Sequence, residues 1–368
     1  MALYGDTSGI LSDHQRGRPQ RLQLGAAGGD AFGDAEELHG EARGGRDRLL
    51  GGADAVVNRL FGDADAMDGR SVGGNDTLAG GAGASFDTLF GDAFFMAGDS
   101  RGGDDRLSGG AGAGDDTLHG DARIMLERAV GGDDVLSGGA GATSNTLYGD
   151  AWNMNGAARG GDDRLTAGAG AGINLLYGDA DQMSDQTTGG NDRLAGAAGT
   201  TNLLHGDARV LTGSAAGGDD VLTGGGAGST NRLYGDAETL SGTAAGGNDT
   251  LIGGRGTDLM WGDAAEVAPG ATTGADTFVF GRHGGDDTIF DFRSSDGDRI
   301  DVRALGIRSL ADMTIGDAAG DARIVFEPGD TAKALKLVAA AGAFGDGGSV
   351  TLVGVRPDTL QASDFVFA

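Results

Sequence analysis

The sequence predicts an all-β fold: a parallel β-roll or β-helix solenoid of 29-residue coils, closed by a C-terminal β cap. Three observations carry this. The tripeptide GDA, preceded by an aromatic residue or His, begins at Gly33, Gly62, Gly91, Gly120, Gly149, Gly178, Gly206, Gly235 and Gly262, 29 residues apart with single steps of 28 and 27. A second marker, GG-x-D-x-L, begins at Gly44, Gly73, Gly102, Gly131, Gly160, Gly189, Gly217 and Gly246, again 29 apart with one step of 28. Between the markers lie short D/N-x-L segments bounded by glycine, too short and too rich in Gly for helices, so they read as strands. Fixed-period self-similarity of this kind marks a solenoid, in which each coil buries its apolar face only against the next. About nine coils at ~4.8 Å each make a rod roughly 40 Å long.

The elements follow in chain order. Residues 1–43 hold a degraded copy, with LYGD at Leu3–Asp6 and RLQLGAAGGDAFGDA at Arg21–Ala35, as expected of an N-terminal capping coil. Residues 44–273 hold the regular repeats. Strand alternation gives two inward columns, Leu49 to Leu251 in the first strand and Leu60 to Met260 in the second. From residue 274 to 368 the period ends and β-branched and aromatic residues become frequent, so this part is expected to be the cap.

Composition narrows the partners. The chain has 76 Gly, 4 Pro and no Cys, and its 55 acidic against 27 basic residues leave a formal charge of -28. Such a chain repels itself unless cations bind it. Lysine occurs only at Lys333 and Lys336, and the arginines are scattered among carboxylates, so neither nucleic acid nor anionic lipid is an expected partner. No stretch has the roughly 18 to 20 apolar residues of a membrane span, and the opening MALYGDTSGILSD lacks the character of a signal peptide. HExxH, GxSxG and GxxxxGK[ST] are absent and the five histidines show no triad pattern, so an enzyme is not expected.

The GG-x-G-x-D-x-L-x pattern resembles the nonapeptide of repeats-in-toxin proteins, a calcium-binding β-roll family. In that family two nonapeptides make a coil of about 18 residues, so each 29-residue unit reads here as one such coil with two enlarged turns; a wider three-strand coil is the alternative. The resemblance implies that turn carbonyls and one Asp per repeat coordinate Ca²⁺ between coils. Carried over by position, the ligands are Asp47, Asp76, Asp105, Asp134, Asp163, Asp192, Asp220 and Asp249. The chemistry is sound on its own terms, because Ca²⁺ takes about six to eight oxygens and glycine lets carbonyls converge.

The opposite turn carries Asn58, Asp87, Asp116, Asn145, Asn174, Asn202, Asn231 and Asp258. Asp87, Asp116 and Asp258 are further candidate ligands; a metal-free ladder of side-chain hydrogen bonds is the other reading. The GDA aspartates are open between ligand and turn-former. The segment from Gly274 to Val302 resembles the C-terminal cap of serralysin-like proteins, with Asp276 and Asp287 at the family's Asp position, and the ending SVTLVGVRPDTLQASDFVFA is similar to a type I secretion signal.

Taken with the repeats, the resemblance implies an extracellular protein, exported by a type I secretion exporter and folding outside on several calcium ions. Its expected role is structural or adhesive. The alternative is a glycan- or partner-binding module, directed at cell-surface or matrix polysaccharide, that uses the ladder Phe61, Phe90, His119, Tyr148, Tyr177, His205, Tyr234 and Trp261. An apolar residue in each following loop, Met67 to Met183 and then Leu211 and Leu240, is expected to fold back onto that ladder and cover it.

Overall fold

Each 29-residue unit closes one coil of three strands, as in Val57–Phe61, Ala64–Met67 and Thr77–Ala79. The computed structural model describes residues 2–282, 284–326 and 348–368; His283, Lys333, Lys336 and the middle of the expected cap lie outside the described residues. Like strands of successive coils pair in parallel and in register, so Leu60 faces Leu89 and Leu89 faces Leu118. The three resulting sheets have 14, 10 and 12 strands. The fold is therefore a parallel β-solenoid.

The coil is the wider, three-strand one, not a two-strand coil with enlarged turns. The stretch after GDA, expected to be loop, is the strand of the second sheet. Its pattern is A-x-x-M or A-x-x-L, with the first and fourth residues inward: Ala64 and Met67, Ala122 and Met125, Ala208 and Leu211 are all fully buried. Four residues with two inward positions look like a short loop in sequence, because strand alternation needs a longer run to show.

Two separate cores result. The Leu columns form the larger one, between the first and third sheets. The Ala and Met columns form the second, with turn residues such as Ala42, Ala129 and Ala158. The Met side chains do not cover the aromatic ladder; they point to the other side of the second sheet. The rings instead stack on one another from Tyr4 to Phe290 at centroid distances of 4.3–5.0 Å. Most are buried where the first and second sheets meet, Phe90 and His119 at 2% exposure. Leu147→Ala, in the middle of the larger core, is expected to cost about 2–5 kcal/mol in thermal unfolding of the folded chain.

The first and third sheets run on into residues 274–368. The first ends in an antiparallel hairpin, Thr314–Ala318 with Asp321–Val325, laid against Ser349–Leu352; the third ends at Phe365–Val366. Such a reversal stops parallel stacking at this end.

Candidate metal centre

Two columns of aspartate run along the rod between its cores. The GDA aspartates form one and the GG-x-D aspartates the other, and within each coil the two are separated by 13 residues: 34 and 47, 63 and 76, and so on to 263 and 276. All eighteen side chains, in nine pairs, are at most 4% exposed. Glycine places them there. The GDA and GG turns carry no Cβ that would fill the space between the columns.

Each column is half satisfied. In the GG-x-D column, Oδ1 accepts the amide N–H of the Asp one coil earlier, from Asp47 N to Asp76 Oδ1 at 2.6 Å through Asp249 N to Asp276 Oδ1 at 2.9 Å. Its Oδ2 has no partner at Asp47, Asp76, Asp105, Asp134, Asp163, Asp192, Asp220, Asp249 or Asp276. In the GDA column one oxygen accepts an amide N–H eleven residues on, as from Gly74 to Asp63 at 2.9 Å. The other is unpartnered at Asp34, Asp63, Asp121, Asp150, Asp179, Asp207 and Asp236. No ion pair among the described residues involves either column.

Backbone carbonyls converge on the same line. A Cβ built on Gly62 would fall 1.6 Å from the Gly91 carbonyl oxygen and 2.3 Å from Asp76 Oδ2, so both oxygens border one spot. The same close approach recurs at Gly91, Gly120, Gly149 and Gly178. Among the described backbone hydrogen bonds, none ends on a GDA glycine carbonyl. Seven of the nine pairs thus offer one unpartnered oxygen from each of two carboxylates, beside a carbonyl that accepts none of these bonds. Among the described residues no three acidic or histidine side chains converge, so a cation here would be held by two carboxylates with carbonyls completing the set.

Burial drives these carboxyls far up. Loss of hydration is the main cause throughout, and neighbouring carboxylates add to it: Asp63 on Asp76, Asp105 on Asp92, Asp163 on Asp150. Asp34, Asp121 and Asp179 are pushed to about 6, Asp47 and Asp263 to about 7, and Asp276 to about 9, all chiefly by burial. A buried carboxylate row without a basic side chain must take up protons or cations to exist folded. No protein-family model matches the chain. No curated protein matches it in sequence either. The family therefore rests on the resemblance alone, and the geometry stands on its own.

The opposite turn is largely an amide ladder. Asn145 donates to Asn174 at 2.9 Å, Asn174 to Asn202 at 3.0 Å, and Asn202 to Asn231 at 2.7 Å, while the Oδ1 atoms of Asn145, Asn174 and Asn202 accept the turn amides of Gly139, Gly168 and Ala197. At its two ends the ladder passes into carboxylate pairs. Asp87 faces Asp116 in register, and Asn231 donates to Asp258, whose amide donates to Asp287. Burial first and Asp87 second raise Asp116 to about 6; burial and then Asp258 raise Asp287 to about 8. Asn174→Ala removes the acceptor of the Gly168 amide and one of the two acceptors of Asn145 Nδ2, which keeps the Gly139 carbonyl. It should cost about 1–3 kcal/mol in thermal unfolding while leaving the number of bound calcium ions unchanged.

The GDA column is the part sequence reading left undecided. Its signal was present: the 13-residue separation survives every period slip. The shortened steps fall in the turn between the third strand and the next first strand, so Asp192 and Asn202 are 10 apart where Asp163 and Asn174 are 11.

Proposed function

We propose that this chain is a secreted calcium-binding rod of the repeats-in-toxin kind, which folds as Ca²⁺ enters the paired Asp columns and serves as a structural or adhesive element outside the cell. The unpartnered oxygens carry this reading: nine buried GG-x-D Oδ2 atoms face a second carboxylate column, with no cationic side chain between. Each pair bears two negative charges, so one divalent ion per coil neutralises it. Calcium suits the all-oxygen, backbone-rich surroundings better than magnesium, which demands near-octahedral geometry and gives up its water reluctantly.

Folding and binding are then one event. In a low-calcium cytosol the charge of -28 keeps the chain open for a type I exporter; outside, calcium in the millimolar range fills sites with dissociation constants of roughly 10⁻⁴ to 10⁻³ M. Burial of the ring ladder favours the rod over a binder that would use those rings. Far-ultraviolet circular dichroism at pH 7.5 tests this: a coil spectrum in chelator, or with magnesium alone, and a β spectrum in millimolar calcium. A β spectrum retained after dialysis into chelator would end the proposal.

A further inference from the structure

Beside the buried ladder, the outward face of the first sheet is open. Of the six large apolar side chains exposed among the described residues, four stand on two adjacent coils, including Phe86 at 49% and Phe94 at 36%. Phe86 points outward on the strand that carries Thr88, and Thr88, Thr117 and Thr146 lie in register, one hydroxyl per coil. Phe94 meets the ladder edge-on at Phe90, 5.8 Å between centroids, and forms the rim of this face. Next along the rim, the Arg123 guanidinium lies between the rings of Phe94 and Trp152, at 5.6 and 5.2 Å. No carboxylate pairs with it among the described residues, although acidic residues outnumber basic ones two to one.

We propose that this face binds a neutral polysaccharide chain lying along the rod axis, which gives the adhesive role suggested above its target and rests on that role. The apolar face of a sugar ring stacks on Trp152 and Phe94, and its hydroxyls meet the threonine row and Arg123. A polyanion is disfavoured because Asp65 and Asp181 stand two coils to either side of Arg123 in the same register column, on a chain of charge -28. An extended peptide is disfavoured because the face offers side chains only, its strands being paired on both sides.

The test is retention of the full chain, in millimolar calcium, on insoluble cellulose, chitin and β-1,3-glucan, beside an immobilised polyuronate. Retention on at least one neutral glycan is expected, weakened roughly tenfold by Trp152→Ala or Phe94→Ala and unchanged by Val267→Ala. Thr117→Val, which deletes one hydroxyl and keeps the shape, should weaken it as well. A folded chain held by none of the neutral glycans, held only by polyuronate, or held equally by the two ring variants overturns the proposal. Circular dichroism of the same samples keeps the readings apart: a chain folded in chelator that still loses retention on Trp152→Ala contradicts calcium-driven folding and sustains glycan binding.

Discussion

Gly149→Ala splits the rod into two independently melting halves. The added methyl would sit 1.6 Å from the carbonyl oxygen of Gly178 and 2.1 Å from Asp163 Oδ2, and the first of these is backbone held in register by the sheets. That carbonyl cannot withdraw without parting two coils. In a solenoid each coil is coupled only to its neighbours, so one broken interface in the middle divides a cooperative unit. We expect a loss of about 3 kcal/mol, a two-step thermal transition in place of one, and fewer bound calcium ions. Gly141→Ala is the control: Gly141 has φ of 73° and nothing within 4 Å of an added Cβ, so only the left-handed backbone cost of about 1 kcal/mol applies. Differential scanning calorimetry of the two variants in calcium, with metal counted in each, separates a steric block in the metal line from general strain.

In chelator the rod is stable in acid and lost on neutralisation, the reverse of its behaviour in calcium. The buried aspartates have folded-state pKa values raised above the unfolded value of about 3.9. A group raised in this way contributes stability that is fully present below its unfolded pKa and disappears as the pH climbs through its folded pKa. For the columns that window opens at about 6, where Asp34, Asp121 and Asp179 ionise, passes about 7 for Asp47 and Asp263, and extends to about 9 at Asp276. Metal-free chain should therefore show a β spectrum near pH 4 and lose it between roughly pH 6 and 9. With calcium present the ionised columns are the binding form, and neutral pH becomes the stable condition. Circular dichroism against pH, with and without chelator, reads both curves; a metal-free chain that unfolds in acid and folds at neutrality would contradict this.

Much of this architecture was legible in the sequence because a solenoid writes its cross-section once per coil. The Leu columns, the GG-x-D column and the Asn ladder occupy the places their spacing implied, and Asn145 to Asn231 bond from coil to coil as one of the two readings had it. The second strand of the coil was not legible. Ala64–Met67 is four residues long, and a corner so short carries no periodicity to distinguish strand from loop. The direction of the corner was equally hidden: whether Met67 turns toward Phe61 or away from it depends on how the GDA turn bends, and here it turns into a separate core with Ala64. The same bend decides the role of Asp63. Because the GDA turn swings the second sheet away, Asp63 is left facing Asp76 across the inside of the rod, a long-range consequence that no local turn rule contains.

The central claim is that the paired Asp columns hold one divalent ion per coil. Calcium bound to the folded chain at pH 7.5, counted by elemental analysis after removal of free metal, should come to about nine ions for the nine pairs, and to fewer in the Asp134→Asn, Asp163→Asn double variant. A folded chain carrying no more than one or two ions, unchanged in that variant, would show that the columns are not filled by metal and that the rod is held by its cores and ladders alone.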